Sequence, residues 1–390
     1  MSYSAIILGL CQFLYMAAIA VGISFNALVG KALAPSPVMA TLPFLFMMGS
    51  TALLTLWMPA LLAKAGYRRV FLCGSGAGLV AGLMAAMAIW LHSFNLFCVA
   101  GFCMGLYQAS ALYYRFAAAD AVDGPHKSSA IAWVLSGGIL AALFGPMIGS
   151  NSLQLFSVDY LGAYIASALL ALIALPLLLL VPIAPRQAIL LTQRFQFKDI
   201  NPAALMAMLF CTSGYAMMAM VMLASPLAMA ACGYHATDAA SVIQWHLLGM
   251  FLPSLLTGKF IARFGAKKIA CIGVVILLFG CMLALAGQAL VFFHFALLVV
   301  GVGWNFMYMG GSTLLTHIPD ATQRSRLQAI NEFLTFSCAT IIAGLTGWLF
   351  ELVGWHSILY IAMVLLLAVI IYLWVSWFFA KKINMDYELK

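Results

Sequence analysis

Long apolar runs follow one another along almost the whole chain, and short stretches between them hold most of the charge. A helix needs about 20 consecutive apolar residues to cross the hydrocarbon core of a bilayer. That ruler predicts spans at 5–29, 38–62, 70–91, 95–118, 129–150, 160–182, 202–225, 238–258, 269–290, 293–316, 329–351 and 356–379. Inside hydrocarbon the backbone must satisfy its own hydrogen bonds, so these runs predict helices. The apolar/polar alternation of barrel strands is missing. The first run has no basic segment before it and no A-x-A cleavage site after it, so it reads as a retained span.

Composition agrees with the pattern. Of 390 residues, 66% are hydrophobic and 7% charged, and the mean hydropathy is +1.10. Soluble domains carry roughly 25% charged residues, so a soluble enzyme and a nucleic-acid binder are both excluded. The net charge of +8 reflects where the bases sit. With the N-terminus inside, sixteen of eighteen Lys and Arg fall in inner segments, which predicts both termini on the cytoplasmic side of a multi-pass inner-membrane protein. Lys31 is the outer exception, and Arg115 lies within a span. The nine cysteines form no C-x-x-C pair or Cys/His cluster, so neither a disulfide framework nor a metal site is expected, and no cofactor is implied.

The longest polar stretch, 185–201, follows the sixth span and carries Arg186, Arg194 and Lys198 among apolar residues, as suits a segment lying on the inner surface. It divides the chain into halves at 1–184 and 202–390, and the halves repeat. At an offset of 199, Ala63, Lys64, Gly66, Arg68 and Arg69 align with Ala262, Arg263, Gly265, Lys267 and Lys268. At 200, Cys11, Tyr15 and Asp120 align with Cys211, Tyr215 and Asp320, and at 199 Gly145 aligns with Gly344. Two parallel six-span units with a site between them is a transporter pattern.

At these residues the sequence resembles the major facilitator superfamily over essentially its whole length. The family's G-x-x-x-D-R-x-G-R-R loop after span two is matched by Gly66, Lys64, Arg68 and Arg69, but Ala63 replaces the Asp that helps lock the halves together. A different gate is therefore expected. Gly145, Pro146 and Gly149 in span five look like the family's G-P-x-x-G-G antiporter signature, which points toward export. The Arg usual early in span four is absent, Gly101 standing in its place. Gln244-Trp245-His246 and Gly303-Trp304-Asn305 resemble a poorly characterised bacterial branch. The resemblance implies two six-helix halves related by a pseudo-two-fold axis, and a monomer.

Ionisable groups inside spans are costly and usually face a cavity or a partner. Arg115 near the inner end of span four would bind an anion or close the inner gate, or else snorkel to headgroups. Glu332, early in span eleven, would pair with Arg115 in place of the missing lock, or carry the coupling proton. Asp120, like its repeat mate Asp320, reads as structural or as part of the gate, and His246 as a proton carrier or a hydrogen-bonded neutral ring. The resemblance implies that spans one, four, seven and ten line the centre. There they offer Gln12, Tyr15, Asn26, Tyr107, Gln108, Tyr114, Tyr215, Trp304, Asn305 and Tyr308 as substrate contacts. Spacing puts Tyr107, Gln108 and Tyr114 on one helix face, and Trp304 with Tyr308 on another.

The expected function is secondary active transport by alternating access in a lipid bilayer. The leading form is proton-coupled export of a small organic or amphipathic compound; the alternative is proton-coupled uptake of an anionic nutrient, metabolite or siderophore-like solute. No phosphate-binding G-x-x-x-x-G-K-[ST] loop is present. A membrane enzyme or a sensor fits less well, because the inner Asp and His residues lack metal spacing and the inner segments are short.

Overall fold

The computed structural model describes residues 3–122, 126–181, 202–318 and 320–388. Among them the regular structure is helical, with no strand. The helices are α1 (Tyr3–Leu33), α2 (Leu42–Trp90), α3 (Phe94–Ala111), α4 (Tyr114–Asp120), α5 (Lys127–Ser152) and α6 (Leu161–Leu179). They continue as α7 (Pro202–Ala231), α8 (Ala236–Phe251), α9 (Ser254–Phe264), α10 (Ala266–Leu285), α11 (Leu290–Thr316) and α12 (Ala321–Glu388). The segment expected on the inner surface, 185–201, lies outside the described residues.

Ten helical segments among the described residues are long and apolar enough to cross a membrane. Two of these are far too long for one crossing, at 54 residues (Pro37–Trp90) and 50 (Arg326–Val375). Each bends at one glycine. Gly66 in α2 has φ 74° and ψ 165°, and Gly354 in α12 has φ 73° and ψ 180°. Gly265, between α9 and α10, has φ 88° and ψ 145°. Gly66 and its repeat mate Gly265 thus share one backbone conformation. No atom lies within 4 Å of where a Cβ would sit at either, so the positive φ, and not crowding, selects glycine there. Charge patterning suggested polar inner loops at these two places. Instead the helix runs up to the glycine and restarts after it, with Arg68 and Lys267 on exposed turns. Arg68 Nη2 donates to the carbonyls of Leu179 and Val181, both at 2.9 Å, and so tethers the C-terminal end of α6.

The packing is that of a protein in lipid. Large apolar side chains such as Trp57 and Trp374 point outward, while small residues let the helices approach each other. In α5 a Cβ on Gly145 would meet Ala20 Cβ at 2.7 Å, and one on Gly149 would meet Phe25 at 2.9 Å. The span-five glycines therefore seat α5 on α1. The opposite face of α5 meets α8, where Gln244 Nε2 donates to the Leu143 carbonyl at 2.8 Å.

Helices α1–α6 and α7–α12 meet along α1 with α7, α5 with α8, and α2 with α12. At the end of the bundle away from Gly66, the Gly347 N–H donates to Thr41 Oγ1 at 3.0 Å. Close by, Lys31 Nζ lies 3.6 Å from Glu351 Oε1. Both contacts join the first group of helices to the second.

Candidate substrate site

Two aromatic clusters meet in the middle of the bundle, one built on α1 and the other on α7. Tyr15 of α1 is buried against Tyr107, with ring centroids 5.2 Å apart, and against Tyr114 at 6.5 Å, both edge to face. Phe71 of α2 completes the group, 4.7 Å from Tyr114. A turn at Leu112–Tyr113 ends α3 and starts α4, and Tyr107 and Tyr114 flank it on the side facing Tyr15. Their hydroxyls are buried outside strict hydrogen-bond geometry, near Ser75 and each other.

Tyr215, at the repeat position of Tyr15, seeds the second cluster, and the two phenols are close enough to interact across the α1–α7 contact. Trp304 and Tyr308 stand four residues apart on α11 and stack at 5.1 Å with 12° between ring planes. Tyr215 meets Trp304 edge-on at 5.9 Å and Phe336 at 5.6 Å. The parallel Trp304–Tyr308 pair forms a flat aromatic wall with Tyr215 edge-on beside it, a surface that suits a planar solute.

An acid borders that wall. The Tyr308 hydroxyl donates to Glu332 on α12, at 2.8 Å from Oε1 and 3.0 Å from Oε2. The expected Arg115–Glu332 ion pair is not made here, and the carboxylate accepts from the phenol instead. Arg115 instead places its guanidinium carbon 4.8 Å from the Phe116 ring centroid. Its Nε is buried without an acceptor, and its charge reaches Tyr308. Asn331, beside Glu332, and Thr335, one turn on, each carry a buried oxygen with no hydrogen-bond partner.

Other sequence candidates are engaged elsewhere. Asn305 binds the break between α8 and α9: its Nδ2 donates to Met250 O and Ser254 Oγ, and its Oδ1 accepts from Thr257, all at 2.7 Å. Gln108 turns to Thr51 of α2, whose hydroxyl lies 3.4 Å from Oε1. His246 is fully buried, with Nδ1 donating to the Leu297 carbonyl at 2.8 Å and Nε2 unpartnered, so the ring ties α8 to α11. Asp120 accepts from Tyr67 at 2.8 Å, and Asp320 caps α12 at the Gln323 N–H. Gln12 packs its Cβ at the α1–α5 crossing beside Gly137. Asn26 lines a separate cavity of about 30 Å³ with Phe97 and Tyr164, where its Oδ1 and the Tyr164 hydroxyl have no partner. That is room for a water or two.

Phe71, Phe336, Asn331 and Thr335 were not anticipated. Phe336 was within reach of sequence reasoning, since it stands one turn after Glu332 on the same face. Phe71 carries no such mark among the many apolar residues of α2.

Residues 205–388 match the model of the Major Facilitator Superfamily. Over 375 residues the chain is 35% identical to the riboflavin transporter RfnT of Brucella anthropi, covering 92% of this chain and 93% of that protein. It is 26% identical to the MFS-type transporter YddS of Bacillus subtilis, over 85% of this chain and 80% of that one. Among solved structures, a bacterial homologue of the human lysosomal transporter Spinster, inward-facing and occupied, superposes with a TM-score of 0.71 at 16% identity. That match covers 98% of this chain and 97% of the other. A mutant of the nucleoside transporter NupG gives 0.69 at 16% identity, covering 93% and 97%.

Proposed function

The chain belongs to the major facilitator superfamily, and on that premise we propose that it carries a planar heteroaromatic solute of the flavin kind by proton-coupled alternating access. In this reading the chain crosses the inner membrane twelve times, with both termini in the cytoplasm. Its halves, 1–184 and 202–390, rock as a monomer about the aromatic centre. The observation that carries the reading is the stacked Trp304–Tyr308 wall with Tyr215 at its edge and Glu332 beside it.

An isoalloxazine is a flat, largely uncharged tricycle, and a parallel aromatic wall gains both area burial and ring contact from it. Its hydroxylated side chain needs hydrogen-bonding partners in a dry site. The Asn331 and Thr335 oxygens and the Trp304 Nε1, all buried and unpartnered, are suited to that task. The likeness to a riboflavin transporter supports the same substrate class. Glu332 is the group we assign to the coupling proton. The span-five glycines that pointed toward export are consumed in packing α5 on α1, so direction is read from the experiment.

Arg115 favours a second reading. An unpaired guanidinium near the wall suits a solute with an anionic group, such as a phosphorylated flavin.

The test is purified protein in liposomes, with riboflavin and flavin mononucleotide offered on either side and a proton gradient of either sign. We expect saturable, gradient-driven riboflavin flux, with quenching of intrinsic tryptophan fluorescence on binding. Preference for the mononucleotide, lost in Arg115→Gln, would favour the second reading. Folded protein that neither binds nor moves any flavin would overturn both.

A further inference from the structure

Two helices of the first group begin behind a hydroxyl residue at the end of the bundle away from Gly66, and the two hydroxyls are used differently. Ser93 precedes α3 in an extended conformation, with φ −104° and ψ 102°, and its Oγ accepts from the Leu96 N–H at 3.4 Å. That is the usual N-cap arrangement, in which the side chain serves an amide two or three residues on. Thr41 precedes α2 at φ −97° and ψ 0°, and its hydroxyl makes no such bond to its own helix. Pro43 has no N–H, so Phe44 is the amide that a cap at Thr41 would serve. At present the Thr41 carbonyl accepts from both Phe44 and Leu45, at 3.1 and 3.2 Å.

The Thr41 hydroxyl is committed across the molecule instead. Thr41 is fully buried, and its Oγ1 accepts from the Gly347 N–H of α12 at 3.0 Å. Glycines let α12 come this close. A Cβ on Gly347 would meet Thr41 Oγ1 at 2.8 Å and the Val38 carbonyl oxygen at 2.9 Å, and one on Gly344 would meet Leu45 Cδ1 at 2.5 Å. Glu351, one turn beyond Gly347, meets Lys31 in a partly exposed ion pair, which adds little. Parting the two groups of helices strands neither member of the buried hydrogen bond. Gly347 lies inside α12, where the Ala343 carbonyl four residues back is the regular acceptor for its N–H. Thr41 has the Phe44 N–H within the first turn of its own helix.

We propose that Thr41 is a two-position switch for closure at this end, the outer one in the orientation given above. With the halves together its hydroxyl oxygen accepts from Gly347; when they part it turns back, accepts from Phe44 and caps α2. Thr41 then takes the extended conformation that Ser93 shows, which re-aims the Pro37–Met39 turn against which α12 packs. One hydrogen bond replaces another, so opening carries no penalty for an unpaired group. This rests on the alternating-access part of the reading above and not on its solute.

The experiment is hydrogen exchange, read residue by residue by mass spectrometry on purified protein in detergent with no solute added. Thr41→Val keeps the shape and deletes the acceptor, so exchange at Gly347 should rise about fivefold, with a smaller change at Phe44. Gly347→Ala adds a methyl group for which the closed contact has no room, so segments 37–41 and 343–348 should exchange faster than in the wild type. Adding Thr41→Val to Gly347→Ala should move the effect to α2, with Phe44 exchanging about fivefold faster, the usual consequence of losing an N-cap. Thr41→Ser keeps the hydroxyl and should behave as threonine does in both backgrounds. A thermal melt verifies that each variant is folded, and Thr41→Ala supplies the same deletion should the valine variant not fold. A Gly347→Ala variant as well protected at both segments as the wild type overturns the switch. So does a Thr41→Val effect on Phe44 that is the same in both backgrounds, since the hydroxyl would then cap α2 always or never. Because no solute is used, failure here leaves the flavin reading standing, and failure of the flavin assay leaves this switch standing.

Discussion

The two aromatic clusters start from the same place in the repeat and end with different chemistry. Tyr15 and Tyr215 are equivalent, as are Cys11 and Cys211, yet the rings gathered around them are not. In the first cluster Tyr107, Tyr114 and Phe71 interlock edge to face, and the hydroxyls of Tyr107 and Tyr114 reach no acid. In the second, Trp304 and Tyr308 lie parallel and end at a carboxylate. Edge-to-face rings fill space from all sides, while a parallel pair presents a flat surface to a third ring. The repeat thus supplies a symmetric frame, and the second half holds the features suited to binding and proton exchange.

The sharpest test of that asymmetry is Glu332→Gln. A hydrogen bond to a charged group contributes roughly 1.5–3 kcal/mol, so gradient-driven flux in liposomes should drop on the order of tenfold to a hundredfold. An equal loss from Tyr107→Phe would erase the distinction between the clusters. Next in size is Trp304→Ala, which removes half of the stack. An aromatic pair contributes about 0.5–1.5 kcal/mol beyond area burial, so equilibrium dialysis should find riboflavin bound roughly three- to tenfold more weakly. The smallest effect is expected from Tyr114→Phe, which deletes a buried hydroxyl that makes no well-formed hydrogen bond and lies near that of Tyr107. Losing a contact that poor costs little. The melting temperature should therefore change little, and flux should stay within about twofold of wild type. A clear loss of flux would mean that the first cluster also handles solute.

Much of the frame was legible in the sequence, because hydrocarbon thickness and the satisfaction of backbone groups constrain it so tightly. The runs of apolar residues and the repeat follow from spacing, Glu332 stood out as an ionisable group inside a span, and the family resemblance put Tyr15, Tyr215, Trp304 and Tyr308 on central helices. The partners did not. Glu332 was matched with Arg115 by opposite charge on two spans that the family resemblance brings together, whereas the carboxylate accepts from a phenol 24 residues earlier on a neighbouring helix. Asn305 looked like a cavity residue until Pro253 broke the eighth span and left groups for it to bind. Each outcome depends on how one helix is rotated against another, which periodicity along a single helix does not encode. The inner loops misled for a related reason. Lys64 and Arg68 mark a polar place, but long basic side chains tolerate a helix, and one glycine suffices to turn it.

A corner of a single residue leaves no slack for threading one arm through the membrane before the other. The arms on either side of Gly66 are thereby suited to enter the bilayer together as a hairpin, and those flanking Gly354 likewise. Lys64, Arg68 and Arg69 at the first corner resist translocation. The second reads Leu352-Val353-Gly354-Trp355 between Glu351 and His356 and carries no Lys or Arg, so it can be pushed across at lower electrostatic cost. In the orientation proposed above, biogenesis therefore gains a built-in polarity: the hairpin tip that carries bases stays where it is made, and the one without Lys or Arg crosses.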